Sequence, residues 1–273
     1  MVERVNRGQV IPAFVDGGSW SACFGLSWTD LMLRDQAVFG RIIREDGQYL
    51  RNVAGTGGVA AARNTIAENF LAATTGEWLF MVDTDMGFHS DIVERLVSSA
   101  ETNNALVVGA LAFAQKAAAL PETSLHARRL KLVPTLYDYV ELGDEKGFRP
   151  RAQYVRDAFQ WVDGTGAACL LIHRDALTAV GPDPFRPILV PDALPGGRAR
   201  EFSEDLSFCA RLANVGVAIG VDTSVKTTHH KGGVFLDEDT YRAQEVMRMS
   251  NPLGVSNSGQ VNGASLLHME VPA

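Results

Sequence analysis

The chain has 273 residues, 46 % hydrophobic and 21 % charged, with a formal charge of −7, enough for one large soluble domain with a sizeable core. That balance argues against a broad nucleic-acid-binding face, no apolar run approaches the roughly 18 residues of a membrane span, and the polar start, Met1 to Gln9, carries no signal-peptide apolar core. Cys23, Cys169 and Cys209 are widely spaced and read as reduced core residues of a cytosolic protein.

Val10 to Val15 predicts a first strand, ending at Asp16-Gly17-Gly18. Ser19 is expected to cap a helix carrying Trp20, Cys23, Phe24, Ser27, Leu31 and Met32 at helical spacing. Val38 to Ile43 reads as a second strand, with Glu45-Asp46-Gly47 as its turn. Gly55-Thr56-Gly57-Gly58 opens a helix over Val59 to Ala73. The run Trp78-Leu79-Phe80-Met81-Val82 predicts a buried central strand leading into Asp83-Thr84-Asp85. Ser90 is expected to cap a helix holding Ile92, Val93, Leu96 and Val97, and Ala105 to Leu111 is a further strand. Strands alternating with helices predict an α/β layer with a mostly parallel sheet.

The pattern weakens between about 113 and 160, where Lys116, Arg128, Arg129 and Lys131 mix with strand-like pieces such as Leu132 to Val140. Gly166 to His173, preceded by Gly164-Thr165, predicts another buried strand. Five prolines then fall between Pro182 and Pro195, followed by Gly196-Gly197, which predicts a long surface loop rather than helix or central strand. Glu201 to Leu212 reads as helix, Val217 to Val221 as a short strand and Asp239 to Met249 as a last helix. From Asn251 onward the composition suggests a loosely held tail, 251–273, after a single domain over 1–250.

Four groups of residues carry the chemistry. Asp83 and Asp85 stand at the carboxyl end of a buried strand, where α/β proteins place ligands and where gathered carboxylates call for a cation. Arg63 and Asn64, on the helix before that strand, suit an anion such as a diphosphate. Glu204 and Asp205 open a helix behind Ser203, available as a base or for hydroxyl binding. His229 and His230 point in opposite directions on an extended chain, so at most one serves a given metal, and Lys231 suits a phosphate.

This order resembles the GT-A-fold glycosyltransferases, both the inverting family 2 enzymes and the polypeptide N-acetylgalactosaminyltransferases and galactosyltransferases. Ala62-Arg63-Asn64 and Gly76 through Asp85 resemble the family's stretch from an Arg-Asn pair to the D-x-D motif. Gly164-Thr165-Gly166-Ala167 resembles its Gly-Gly element beneath the donor sugar, with Thr165 interrupting the pair, Glu204 to Phe208 its Glu-Asp element, and His229 its late metal ligand. The shape is also similar to stand-alone phage or bacterial transferases. The resemblance implies a donor half over about 8–112 and an acceptor half over about 113–250. It implies that Asp85 and His229, with Asp83 assisting, hold Mn²⁺ or Mg²⁺ on the diphosphate of a UDP- or GDP-sugar. Arg63, Asn64, Asp83, Asp46, Gly164 and Gly166 would line the donor. Asp205 would deprotonate the acceptor hydroxyl, of a protein or a glycan, in an inverting reaction, and Glu204 or Asp205 would position both substrates in a retaining one. The 182–200 loop would act as a lid. No nucleic-acid or membrane partner is expected, and the location implied is cytoplasmic, the host's for a phage protein.

Two other readings stand beside it. A nucleotidyltransferase shares the sheet and the carboxylate-held metal, but no Gly-rich, Lys-containing phosphate loop follows the first strand. A catalytically silent, glycan-binding relative would have little reason to keep both Asp83/Asp85 and Glu204/Asp205.

Overall fold

The computed structural model describes residues 9–38, 40–42, 49–117, 130–142 and 145–250. The predicted turn with Asp46, the pair Arg128 and Arg129, and the tail from Asn251 lie outside them. The first stretch runs β1 (Val10–Asp16), α1 (Ala22–Val38), β2 (Leu50–Val53), α2 (Gly58–Ala73), β3 (Trp78–Asp83), β4 (Met86–Phe88), α3 (Ile92–Asn103) and β5 (Val107–Leu111). Short strands follow: β6 (Phe113–Ala117), β7 (Leu130–Pro134), β8 (Leu136–Leu142), β9 (Glu145–Pro150), β10 (Phe159–Val162), β11 (Gly164–Thr165) and β12 (Cys169–His173). The chain closes with α4 (Arg174–Val180), β13 (Ile188–Leu194), β14 (Arg198–Phe202), α5 (Glu204–Asn214), β15 (Ile219–Lys231), β16 (Val234–Leu236) and α6 (Glu238–Ser250).

Among the described residues the main sheet has nine strands, seven of them in the order β10-β15-β5-β12-β3-β1-β2, with β4 and β16 on the far half of β15. Strands β2, β1, β3, β5 and β15 share one direction, and β12 and β10 oppose it. The mostly parallel α/β layer expected from the alternation of strands and helices is therefore present. Side chains alternate across β3 as a strand requires. Leu79 and Met81 pack with Ile66 and Phe70 of α2 and Phe208 and Leu212 of α5. Phe80 and Val82 face Phe24 and Trp28 of α1 and Leu96 and Val97 of α3. The core thus has two layers, one on each side of the sheet.

Several local expectations are corrected. Helix α1 begins later than expected and is capped by Ser21, whose Oγ accepts from the Phe24 N–H at 3.2 Å, while the Ser19 carbonyl accepts from Thr84 Oγ1. Val38, where a second strand was expected to begin, is instead the last residue of α1, and among the described residues of that stretch Ile42 bridges to Val10. The second strand is β2, further on. Asp91, not Ser90, occupies the N-cap of α3. The proline-rich segment contains the hairpin β13–β14, whose register shifts between Val190 and Leu194, around Pro191. A two-stranded hairpin tolerates proline at such an irregularity because no continuous ladder needs its missing N–H.

Candidate active site

The carboxyl end of β3 places Asp83 at the sheet edge, and the chain then turns through Thr84 and Asp85 into β4. Strand β4 pairs antiparallel with the extension of β15, opposing Met86 to His229. The parallel pairing of β15 with β5 becomes irregular between Asp222 and Lys226, and the strand continues past the sheet edge. That overhang delivers His229 to Asp85: Nε2 lies 3.0 Å from Asp85 Oδ2. The other ring nitrogen, Nδ1, lies 3.1 Å from the Phe113 carbonyl. A carbonyl only accepts, so Nδ1 carries a proton and donates, which aims Nε2 at the carboxylate. The adjacent His230 turns its ring against Phe235, centroids 4.9 Å apart, so His229 is the histidine of this site.

Burial works to lower the His229 pKa, but the hydrogen bond and charge of Asp85 outweigh it and raise the imidazole above its ordinary value. Burial likewise opposes ionisation of Asp85, and His229 holds that carboxyl below its usual range. The second oxygen, Asp85 Oδ1, is buried with no hydrogen-bond partner. An unsatisfied buried carboxylate oxygen beside an oriented imidazole nitrogen is a donor pair that suits a divalent ion. Among the described residues no cluster of three or more His, Cys, Asp or Glu side chains converges.

Asp83 has a different partner. Arg63 is 3 % exposed, and its Nη2 donates to both carboxylate oxygens of Asp83, at 2.7 and 3.0 Å, while Nη1 donates to Glu204 Oε1 at 2.6 Å. Burial alone would lower the guanidinium pKa, yet the charges of Asp83, Glu204 and Asp205 hold it above the usual value. Arg63 is therefore a buried cation joining the end of β3 to the start of α5. Asp83, expected to lie by the donor or to assist the metal, has both carboxylate oxygens hydrogen-bonded by Arg63.

Asp205, the next residue on α5, has no such commitment. Its Oδ1 accepts from Ser203 Oγ and from the Leu206 N–H. Beside it stand Tyr137 and Lys116, both within its electrostatic reach, the Lys116 ammonium lying 4.6 Å above the centre of the Tyr137 ring.

Asn64 is not brought into this group. One residue along a helix turns a side chain by about 100°, and Asn64 Oδ1 instead accepts from the Phe185 N–H at 2.7 Å. Gly164 serves packing: a Cβ there would lie 2.9 Å from the Phe148 ring and 3.2 Å from Leu206, and at Gly166 it would lie 3.3 Å from Thr135. A residue missed from the sequence is Asp16, at the carboxyl end of β1. It is buried, accepts from the Gly18 N–H at 2.8 Å and pairs with Arg51 at 2.6 Å. An acid before two glycines reads as turn chemistry, and the burial that distinguishes it comes only from the folded sheet.

The sequence matches no protein-family model and no curated protein. Among solved structures the chain is similar to A197 from STIV, with a TM-score of 0.51 and 16 % identity over 85 % of this chain and 91 % of that one. It is also similar, with a TM-score of 0.49 and 10 % identity, to GalNAc-T7 determined with UDP, GalNAc and Mn²⁺, covering 82 % of this chain and 44 % of that one. At these identities the likeness concerns the fold alone, and the fold is the GT-A type of α/β layer.

Proposed function

We propose that this chain is a metal-dependent glycosyltransferase that moves a sugar from a UDP- or GDP-sugar to the hydroxyl of a protein or glycan acceptor. The observation that carries this reading is the buried, unpartnered Oδ1 of Asp85 beside an oriented His229 at the carboxyl edge of β3. Asp85 and His229 would hold the ion, and the imidazole nitrogen favours Mn²⁺ over the harder Mg²⁺. When bound, such an ion offsets charge on the departing nucleoside diphosphate. Arg63 keeps Asp83 at the donor edge and fixes Glu204, which acts as a positioning residue because an oxygen is committed to the guanidinium. Asp205, whose charge is not taken up by a salt bridge among the described residues, would accept the proton of the acceptor hydroxyl.

The test incubates the protein with a panel of UDP- and GDP-sugars and Mn²⁺ and measures free nucleoside diphosphate. Slow metal-dependent release is expected, and Asp85→Asn should reduce it ~100-fold or more, as the loss of several kcal/mol of charge stabilisation requires. Release of pyrophosphate, or no release from any donor, would reject the proposal.

A further inference from the structure

A cavity of about 890 Å³ lies along α5, lined from Phe202, before the helix begins, to Gly216, past its end. Its other walls come from β8, β9, β10 and the hairpin β13–β14. Tyr139 and Trp161 line it while 39 % and 48 % exposed. Large rings left open to water at the edge of a cavity are surfaces offered to a ligand. Phe148 and Phe202 continue the line inward: ring centroids are 5.3 Å apart from Tyr139 to Phe148 and 5.2 Å from Phe148 to Phe202. Phe202 is buried and stands three residues before Asp205. A Cβ at Gly164 would lie 2.9 Å from Phe148 and 3.2 Å from Leu206, the neighbour of Asp205. The aromatic wall therefore runs from solvent to the start of α5, where Asp205 stands.

The polar groups of the cavity narrow its ligand. Asp163 is exposed, and its Oδ2 accepts from the Tyr139 N–H at 2.7 Å, which ties the carboxylate to the aromatic rim. Asn214 adds an amide, and among the described residues that line the cavity there is no lysine or arginine. A phosphate or other anion would meet Asp163 without a compensating cation, and an acyl chain would press hydrocarbon on a carboxylate and an amide. A sugar ring suits both kinds of wall. Its C–H face packs flat on an aromatic ring, and its hydroxyls donate to a carboxylate and pair with an amide. The volume is that of a site for a ligand larger than one sugar unit.

We propose that this cavity holds a neutral oligosaccharide, with one sugar stacked on Tyr139 or Trp161, and that this oligosaccharide is the acceptor, reaching Asp205 along the aromatic wall. The acceptor role rests on the glycosyl-transfer reading and narrows its acceptor to a glycan; the occupancy of the cavity does not depend on it.

Calorimetry on the full-length protein without metal or donor, with maltotetraose, cellotetraose, chitotetraose and mannotetraose as probes, tests the cavity apart from turnover. Saturable binding of at least one probe is expected. Trp161→Ala or Tyr139→Ala should weaken it ~10-fold, the scale of losing one stacked ring, and Trp161→Phe, which keeps a ring, should retain it. Binding of no probe, or equal binding by folded Trp161→Ala and Tyr139→Ala, would overturn the proposal. A dimer in sedimentation that Trp161→Ala dissociates would also overturn it, by giving this face to a second copy of the chain. With a UDP- or GDP-sugar and Mn²⁺ present, the bound probe should speed nucleoside diphosphate release, and Trp161→Ala should raise its KM more than it lowers kcat. Release that the bound probe does not speed would overturn the acceptor role. Probe binding with no release from the wild-type protein would overturn the glycosyl-transfer reading and leave the cavity a carbohydrate site.

Discussion

Arg63 is the residue whose loss would be felt furthest. Its guanidinium is shared by two carboxylates that come from positions 20 and 141 residues away. Arg63→Met would leave Asp83 and Glu204 partly buried without their cation, and breaking one partner of such a pair costs about 3–5 kcal/mol. Urea denaturation should show that loss, and Arg63→Met/Asp83→Asn/Glu204→Gln should recover part of it; no recovery would mean that packing, not charge, is at stake. Asp16 gives a pH dependence. The Gly18 N–H holds its carboxyl below the usual value, burial opposes this and Arg51 adds to it. A depressed folded pKa contributes stability above the unfolded value of about 3.9 and loses it as pH falls through the folded value. Relative to wild type, Asp16→Asn should be less stable at pH 6 by about 1 kcal/mol, since Arg51 is half-exposed and screened. The two should converge towards pH 3; parallel curves would exclude the carboxylate as the cause. Of the residues gathered here, Asp85, Glu204 and Asp205 were legible from an apolar run and a helix cap, while His229 was singled out by the resemblance alone. The sequence hid which acids share a partner, since that depends on side-chain direction at contacts distant in the chain.

At the scale of elements, α5 carries Glu204 and Asp205 into place, and β11 fixes where α5 sits. Gly164 has no room for a side chain between Phe148 of β9 and Leu206 of α5. Gly164→Ala should therefore push α5 or β9 outward, at a cost of about 1–3 kcal/mol for overpacking. Donor hydrolysis should fall with it, and a crystal structure of the variant should show displacement at Phe148 or Leu206; an unmoved neighbourhood would refute the packing role. The hairpin β13–β14 is pinned near its base, where Asn64 and Ser207 hold the N–H groups of Phe185 and Ile188. If its tip closes over bound donor, protease cleavage around Gly196-Gly197 should slow with UDP and Mn²⁺, and unchanged cleavage at saturation would argue against a lid. Strands β3 and β5 were readable as continuous apolar runs. Strand β12 was readable as a strand but not as an antiparallel one, because an apolar run buried on both faces has no direction written in it. The hairpin escaped notice because five prolines outweighed the alternation around them.

For the molecule as a whole, the stretches before and after residue 112 contribute to one sheet. Strand β12, from beyond residue 112, lies between β3 and β5, and β15 flanks β5 on the other side. The two stretches thus share one hydrogen-bonded layer and both faces of its core. Calorimetry and tryptophan fluorescence should report a single coincident transition over residues 1–250; two separable transitions would reject the single domain.

The placement of β12 also sets an order of events at the ribosome. Strands β1, β2 and β3 can pair as soon as they emerge, but β5 has no neighbour until Cys169–His173 has been made, and its other side stays open until β15 follows. A nascent chain arrested after residue 112 would present bare edges on β3 and β5, the surface on which strands of other chains add. Such a fragment should aggregate or be captured by chaperones, and one ending after residue 250 should not.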